Sequence, residues 1–374
     1  MNSANRRTVY LDNIRNNISL IRKHVPASAG LFALVKADAY GHGAAETARA
    51  ALSAGADRLA VARVKEGTAL RQAGIRAPIL VLGAAMREDA EEGVAMGLMQ
   101  TVCAPEMVQF CEEAAERQGR TAEVQLKIDT GMGRIGVRTP EERDAVLEAL
   151  HGSKHLRLVG AFTHFADADG DADGEAYTRQ QFRRFLEMTD CLPKGICRHC
   201  ANSAAGARFP EMALDAVRAG ISLYGYPPVD GIPGLKPCMS WSAEISMIKT
   251  LPAGETVSYG RTWRAETPRR IATITCGYGD GYHRAASGKA SVLIRGRRFP
   301  VTGRICMDQM MADITGAEDL RVGDEVILMG QSGNETITAE DIARWSGTIS
   351  YEVLLSVGSR VERTFIGQES EEQA

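Results

Sequence analysis

The chain has 374 residues, of which 44% are apolar, and a formal net charge of −3. This length exceeds one ordinary domain and predicts one large and one smaller domain, each with its own buried core. Because there is no basic excess to neutralise phosphates, we expect neither a nucleic acid nor a membrane as partner.

Between about residues 30 and 225, short apolar runs alternate with alanine-rich amphipathic segments. The runs predict buried strands and the longer segments predict helices. Eight such units of about 25 residues each favour a closed parallel (β/α)8 barrel of the TIM type, with an open doubly wound sheet as the competing architecture. The predicted strands are Leu31–Lys36, Arg58–Ala62, Pro78–Leu82, Met99–Val102, Val124–Ile128, Leu158–Thr163, Ile196–His199 and Ala216–Arg218. The predicted helices include Ala44–Ala54, Val64–Ala73, Pro105–Gln118 and Pro140–Leu150.

After Tyr226 the composition changes. The prolines and glycines of Pro227–Gly234 interrupt regular structure and indicate a linker. Short β-type runs separated by turn residues follow, and the next predicted helix is Thr338–Trp345. We therefore predict a barrel domain over residues 8–228 and a mainly β domain over 229–374, with residues 1–11 as a possible extra strand of the latter. The predicted strands are Ala243–Ile248, Arg270–Thr275, Ala290–Ile294, Arg298–Val301, Met310–Asp313 and Glu325–Leu328.

The cysteines and the N-terminal segment indicate a reducing, cytoplasmic setting. The eight cysteines are scattered, which is not the pattern of a disulfide framework in a chain of this length. Cys197 and Cys200 have the spacing of a redox or zinc pair, but no second pair completes a four-ligand set, so no metal is predicted. Met1–Arg7 lacks the apolar core of a secretory signal, and no run of about 18 apolar residues suggests a membrane span.

Lys36 lies at the end of the first predicted barrel strand, in the run Val35–Gly43. Burial of an ammonium group lowers its pKa and makes the amine a better nucleophile toward a carbonyl. Tyr40, Gly41 and Gly43 then supply an aromatic hydroxyl and a flexible backbone, which suit a cofactor held beside the amine. The alternative is a lysine that only reaches solvent from a strand end.

Further short motifs follow one another along nearly the whole chain. After Val35–Gly43 they are Lys127–Gly136, Thr163–Ala166, His199–Ser203, Val217–Ile221 with Leu223–Gly225, Val257–Arg261, Gly277–Gly281, Gly303–Asp308 and Ile349–Glu352. In composition and order they resemble the motifs of the alanine racemases, a family of fold-type III enzymes that depend on pyridoxal 5′-phosphate. The resemblance implies the (β/α)8 barrel with a mainly β C-terminal domain, and interconversion of L-alanine and D-alanine.

The resemblance also implies how the cofactor is held. Lys36 carries it covalently, and Arg218 faces its pyridine nitrogen with support from His164 and His199. Because arginine stays protonated and only donates, that nitrogen remains unprotonated. The ring is then a weaker electron sink, which we expect to limit transamination. The other cofactor-binding residues that the resemblance implies are Tyr40, Asn202, Ser203, Gly220, Ile221 and Tyr351, with the backbone of Gly220 and Ile221 at the phosphate.

Racemisation needs proton transfer on both faces of one carbon, and the resemblance assigns Lys36 and Tyr259 as the two bases. In the family the tyrosine reaches the cofactor of the other subunit, so a homodimer with shared sites is expected. Arg134 and the backbone of Met307 bind the substrate carboxylate. Lys127 matches a lysine that often carries a carbamate, with an unmodified lysine as the alternative. The residues implied at the substrate entrance are Tyr278, Arg304 and Asp308, while Tyr351 crowds the pocket and favours a small side chain.

The resemblance implies that the alanine racemisation supplies D-alanine for peptidoglycan or serves D-alanine catabolism. Three other functions compete with it. A racemase of broader specificity, acting on serine as well, differs only in pocket size and kinetics. Barrel-type decarboxylases that use the same cofactor bring an acidic partner to the pyridine nitrogen, from which Arg218 and Tyr259 point away. A non-catalytic cofactor-binding protein resembles the barrel alone, and the β domain argues against it.

Overall fold

The structure, a computed structural model, describes residues 4–367. These residues form two units, one of residues 12–39 and 43–236 and the other of the described residues up to 11, residues 40–42 and residues 237–367. The expected ranges 1–11 and 229–374 therefore extend, at residues 1–3 and 368–374, outside the described residues. No described helix combines the length and the apolar character that crossing a membrane requires.

The first unit is built on eight parallel strands that hydrogen-bond in chain order, with the last strand beside the first. Two backbone hydrogen bonds, from Asp215 N to Arg198 O and from Arg218 N to Ala201 O, both 3.0 Å, bring the remaining seam together. The prediction of a (β/α)8 barrel is confirmed. Preceded by β1 (Arg6–Tyr10) of the other unit, the barrel strands are β2 (Gly30–Leu34), β3 (Arg58–Val61), β4 (Ile79–Ala84), β5 (Met99–Val102), β6 (Ala122–Lys127), β7 (Leu156–Phe162), β8 (Cys197–His199) and β9 (Ala216–Ala219).

Helices alternate with these strands, and local sequence sets where several of them begin. Pro105 and Pro140 occupy first-turn positions, where the missing N–H is not needed. Asp171 caps the longest barrel helix by accepting from the amides of Asp173 and Gly174. The helices are α1 (Leu11–His24), α2 (Ala44–Ser53), α3 (Val64–Gln72), α4 (Arg87–Ala95), α5 (Pro105–Arg117), α6 (Pro140–Gly152), α7 (Ala172–Thr189) and α8 (Ser203–Arg208).

The second unit is mainly β, as predicted from the short runs that follow the linker. Its largest sheet has nine strands, and β1 lies in it, antiparallel to β10 and parallel to β19. In the core, the rings of Trp241 and Tyr282 lie 5.7 Å apart, and the Trp241 indole donates to Asn5 Oδ1. The elements are β10 (Met239–Leu251), β11 (Thr256–Val257), β12 (Trp263–Arg264), β13 (Arg269–Ile274), β14 (Ser291–Ile294), β15 (Arg297–Pro300), β16 (Met310–Asp313), β17 (Glu325–Ser332), β18 (Glu335–Ile337), α9 (Ala339–Ser346), α10 (Ser350–Ser356) and β19 (Glu362–Ile366).

Candidate active site

Lys36 opens a left-handed turn rather than ending a strand. The strand β2 stops at Leu34, and Ala37, Asp38 and Ala39 have φ values of 51°, 52° and 54°. Non-glycine residues rarely adopt positive φ, so tertiary contacts must hold them there. One such contact is the hydrogen bond of 2.6 Å from Ala37 N to Glu66 Oε1. The predicted strand Leu31–Lys36 was thus too long at its end, because the strand stops at Leu34 and the backbone is left-handed from Ala37.

The amine of Lys36 lies in an environment that favours its neutral form. Burial lowers the pKa of Lys36, and the positive charge of Arg134 lowers it further, while Glu66 acts in the opposite direction. A neutral amine is the nucleophilic form of lysine. The lowered pKa expected from the sequence therefore has two physical causes in the structure.

Arg218 is a fully enclosed cation on β9, only 2% exposed. Its Nη1 donates to His199 Nδ1 at 2.8 Å and to His199 O at 3.1 Å. Its Nη2 donates to Thr163 O at 2.8 Å, to Cys200 O at 2.9 Å and to His164 Nδ1 at 3.3 Å. Within the part of the chain that the structure describes, no carboxylate pairs with it. The guanidinium is thus held by neutral acceptors and keeps its positive charge in the site.

Both histidines beside Arg218 are held neutral. The His199 ring stacks between Phe32, at 4.8 Å, and Phe162, at 5.1 Å between ring centroids. Burial, and then the charge of Arg218, lowers the pKa of both His199 and His164 well below the ordinary value. Each neutral ring can therefore offer an unprotonated Nδ1 to the guanidinium, which has only donors.

A small cup of backbone and hydroxyl groups lies where β9 ends. The hydroxyl oxygen of Ser203 accepts from Gly220 N at 2.9 Å and from Ser222 N at 3.4 Å. Asn202 caps the short helix α8 by accepting from Ala205 N at 3.0 Å. Ile221 begins the next turn, directly after Gly220. These contacts bring the segment at 202–203 beside that at 220–222, as a phosphate cradle requires.

Lys127 ends β6 inside the barrel and is 3% exposed. Its Nζ donates to Ile128 O at 2.8 Å. Burial, followed by the charge of Arg218, lowers the pKa of Lys127 to about 7. Arg134 lies in the loop that follows β6 and lowers this pKa as well. The amine is therefore substantially neutral near physiological pH, which is the form that can react with CO2.

Tyr259, in the second unit, is 67% exposed on a strained turn. Ser258 and Arg261 have φ values of 66° and 52°. The Ser258 hydroxyl donates to Arg304 O at 2.5 Å, and a Cβ on Gly260 would lie only 2.8 Å from Arg304 Nη1. The turn is thus fixed against the loop of Arg304 and presents the tyrosine outward.

Five other predicted residues also belong to the second unit. Met307 is 53% exposed, and Tyr278 N donates to Cys306 O in the same group of loops. Asp308 pairs with Arg360 at 2.8 Å. The other two are Tyr40 and Tyr351, whose rings lie 6.1 Å apart; burial raises the pKa of Tyr40, so its hydroxyl stays protonated.

Six predicted site residues of the first unit lie in a single cluster at the carboxyl ends of barrel strands, which is where barrel enzymes place their active sites. They are Lys36, Lys127, Arg134, His164, His199 and Arg218.

Among residues 4–367 no group of acidic, histidine and cysteine side chains is arranged to hold a metal ion. Cys197 accepts from Arg58 Nη1 at 3.0 Å, and the buried Cys200 donates to Met212 O.

Sequence reasoning missed Gln125, whose Oε1 lies 2.8 Å from His199 Nε2. Gln125 is two residues before Lys127 on β6, so both side chains project from the same face of that strand. This spacing was a signal that could have identified it. Glu66, Phe32 and Phe162 were missed too, and for them only the tertiary structure supplies the contact.

Known proteins match the chain over almost its full length. The N-terminal domain model of alanine racemase matches residues 9–228, and the C-terminal domain model matches 238–365. The alanine racemase of Desulforamulus reducens is 44% identical over 96% of this chain and 98% of its own. That of Clostridium difficile 630 has a solved structure with a TM-score of 0.91 and 40% identity, covering 98% of this chain and 96% of the other. A histidine racemase from Leuconostoc mesenteroides gives a TM-score of 0.89 at 28% identity, with 98% of each chain covered.

The fold, the basic cluster at the barrel mouth and these matches define an amino-acid racemase, an isomerase. The chain belongs to the alanine racemase family.

Proposed function

We propose that the protein interconverts L-alanine and D-alanine, with pyridoxal 5′-phosphate bound at the barrel cluster. The observation that carries this proposal is Arg218, a buried cation held by two neutral histidines at the carboxyl ends of the strands. Relatives of 44% identity over nearly the whole chain are named alanine racemase, which supports alanine as the substrate.

The donor set of the barrel fits this cofactor. The phosphate of the cofactor carries negative charge, and the cluster offers positively charged arginines together with the cup formed by Ser203 and Gly220. The buried guanidinium of Arg218 offers a donor to a ring nitrogen, and Lys36 offers an amine for covalent attachment. The further residues that we propose to contact it are Tyr40, His164, His199, Asn202, Ile221 and Tyr351.

Two side chains of this chain move the proton in the proposed reaction. When bound, pyridoxal phosphate supplies an electron sink that stabilises the carbanion left by loss of the Cα proton. Lys36 Nζ takes or returns the proton on one face of the carbon, and the Tyr259 hydroxyl acts on the other. The lowered pKa of Lys36 supports its role as a base at neutral pH. Arg218, which only donates, keeps the ring nitrogen unprotonated and favours return of the proton to Cα.

Arg134 and Met307 hold the substrate carboxylate in this proposal, through the guanidinium and a backbone N–H. A carbamate on Lys127 makes that residue an anion and orients Arg134. The pKa of about 7 supports carbamate formation, because the neutral amine is the form that attacks CO2. Tyr278, Arg304 and Asp308 line the entrance.

We also infer a homodimer with shared sites. The support is the outward presentation of Tyr259, which is 67% exposed although its turn is rigidly held. Met307 and Tyr278 are exposed on the same unit, at 53% and 40%. Aromatic and methionine side chains that are exposed on a single subunit are typical of surfaces that become buried in a protein–protein interface.

A broader substrate range is the second candidate. The structural similarity to a histidine racemase, at a TM-score of 0.89, indicates that this fold also serves larger amino acids. We propose that Tyr351, beside Tyr40, keeps the pocket small and favours alanine over serine.

We propose that the D-alanine formed serves peptidoglycan synthesis or is degraded in a catabolic route. The described cysteines are all free thiols, which supports a reducing, cytoplasmic location.

The test is incubation of the purified protein with pure L-alanine, followed by chiral analysis. D-alanine should rise until the two enantiomers are equimolar. L-serine and L-histidine in parallel reactions measure the range of substrates. If no D-isomer forms from a sample that carries its cofactor, the proposed function is wrong.

A further inference from the structure

We propose that Gln125 is a positioning residue: it fixes the proton of His199 on Nε2 and thereby holds Arg218 in place. The proposal rests on the proposed function only in assigning Arg218 to the cofactor. Its physical core is a three-residue chain of contacts inside the barrel, from Gln125 on β6 through His199 on β8 to Arg218 on β9.

The proton assignment follows from the donors and acceptors present. Arg218 Nη1 can only donate, and it lies 2.8 Å from His199 Nδ1, so Nδ1 must carry a lone pair. The remaining ring proton then lies on Nε2, which is 2.8 Å from Gln125 Oε1. Gln125 Nε2 faces Met99 Sδ at 3.6 Å, so the amide presents its oxygen to the histidine and its NH2 to the sulfur. One set of proton positions satisfies all three side chains.

Both side chains of the contact between Gln125 and His199 are buried. Gln125 is 1% exposed and His199 is 0% exposed, so solvent does not compete for the bond between their side chains. The charged groups that act on His199 are Arg218, Arg58 and Lys127, and all three disfavour the imidazolium form. The neutral amide of Gln125 adds no charge, so the three positive charges keep His199 neutral. A carboxylate at 125 would instead stabilise a proton on both ring nitrogens.

A doubly protonated His199 cannot accept from Arg218. The guanidinium then loses the bond to Nδ1 and meets a second positive charge 2.8 Å away. Displacement of Arg218 removes the group proposed to keep the cofactor nitrogen unprotonated. The residue at 125 therefore sets the balance between racemisation and transamination without touching the cofactor.

The test compares Gln125→Glu with Gln100→Glu in the full-length protein labelled with 15N-histidine. Gln100 is a matched control because it lies on the next strand, β5, is equally buried at 1% exposed, and directs its amide at Ala90 O. The His199 signals are assigned by their loss in His199→Asn. In the wild type and in Gln100→Glu, His199 should have unprotonated Nδ1 and protonated Nε2 at pH 8. In Gln125→Glu both nitrogens should be protonated, and the ratio of half-transamination to racemisation should rise roughly tenfold.

Gln125→Met is a second variant in case the buried glutamate prevents folding. It keeps the length of the side chain and removes the acceptor, so the Nε2–H signal of His199 should broaden through faster exchange with water. The proposal is overturned if the His199 signals in Gln125→Glu match those of the wild type. If the Gln125→Glu variant does not fold, wild-type His199 signals in Gln125→Met overturn it instead. The nitrogen signals do not depend on turnover, so a protein without racemase activity would overturn the proposed function and leave this result interpretable.

Discussion

The backbone N–H of Gly220 donates to the hydroxyl oxygen of Ser203 across 2.9 Å, joining the end of β9 to the start of α8. This bond holds together the two segments that we propose to cradle the cofactor phosphate. The hydroxyl hydrogen of Ser203 remains available to donate, because both amides use the oxygen as acceptor.

Ser203→Ala should weaken retention of pyridoxal phosphate roughly tenfold to twentyfold, since a hydrogen bond to a charged group contributes about 1.5 kcal/mol or slightly more. Equilibrium dialysis of the cofactor, with Ser53→Ala as the control, measures the effect. Ser53 lies on the outer helix α2, where its hydroxyl donates only to Ala50 O. Equal retention by the two variants would show that Ser203 does not bind the phosphate.

Tyr259→Phe should abolish most racemisation while the protein keeps its cofactor. Removal of a general acid or base typically costs about 100-fold to 10,000-fold in rate. The cofactor should stay because the residues proposed to bind it lie elsewhere in the chain. Tyr10→Phe is the control, since the Tyr10 hydroxyl pairs with Ser240 in the same unit. Full activity of Tyr259→Phe would contradict the scheme with two bases.

Mixing two inactive variants tests whether Tyr259 serves the partner's site. Heterodimers of Lys36→Ala and Tyr259→Phe contain one site with both changes and one with neither, provided that each site is shared. Random exchange of subunits should then restore about a quarter of wild-type activity, since half of the dimers are mixed and each has one intact site of two. Activity that stays at zero after proven exchange would place both residues in one subunit's site.

Arg218→Glu should increase half-transamination relative to racemisation. A glutamate can share a proton with the pyridine nitrogen, which makes the ring a stronger electron sink and permits reprotonation away from Cα. Arg218→Lys keeps the positive charge without the planar pair of donors and should raise the ratio less. The measurement is the rate at which the visible band of the cofactor decays during turnover, and no increase in Arg218→Glu would count against the role assigned to Arg218.

Lys127 should make the stability of the protein depend on pH. Its pKa is about 7 in the folded protein, against about 10.4 for an unperturbed lysine in the unfolded chain. Between these values only the unfolded chain binds the proton, so the free energy of unfolding rises with pH, by at most about 1.4 kcal/mol per pH unit, and this contribution is flat below pH 7.

Urea unfolding at pH 7, 8 and 9 in bicarbonate-free buffer measures this slope. Lys127→Met removes the titrating group and should flatten the profile, whereas Lys65→Met on the exposed face of α3 should leave it unchanged. A profile of Lys127→Met that runs parallel to the wild type would mean that Lys127 is not held neutral.

The sequence predicted the elements that depend on local pattern. Met99–Val102 is a strand with the bounds expected, because the stretch between Gly97 and Pro105 is too short for a helix. The strand expected at Ala243–Ile248 extends over Met239–Leu251, since it pairs at different points along its length with β1, β13 and β17. Such partners are distant in sequence and leave no local signal.

Within the site, the motifs identified residues whose chemistry is unusual for their position, such as Lys36 and Arg218. They did not predict the left-handed turn at Ala37–Ala39, because alanine and aspartate do not favour positive φ, and the contact to Glu66 comes from another strand–helix unit. Gln125 was missed for a different reason: its spacing of two residues from Lys127 indicates the face of β6 on which it lies, but not the histidine on β8 that it contacts.

In the mechanism that we propose, Lys36 and no other lysine carries the cofactor. Borohydride reduction of the substrate-free enzyme, followed by peptide mass mapping, identifies the lysine to which the cofactor is attached. We expect one phosphopyridoxyl adduct, on Lys36, that is absent from Lys36→Ala. An adduct on Lys127 or on another lysine, or none in a protein that retains the cofactor, would contradict it.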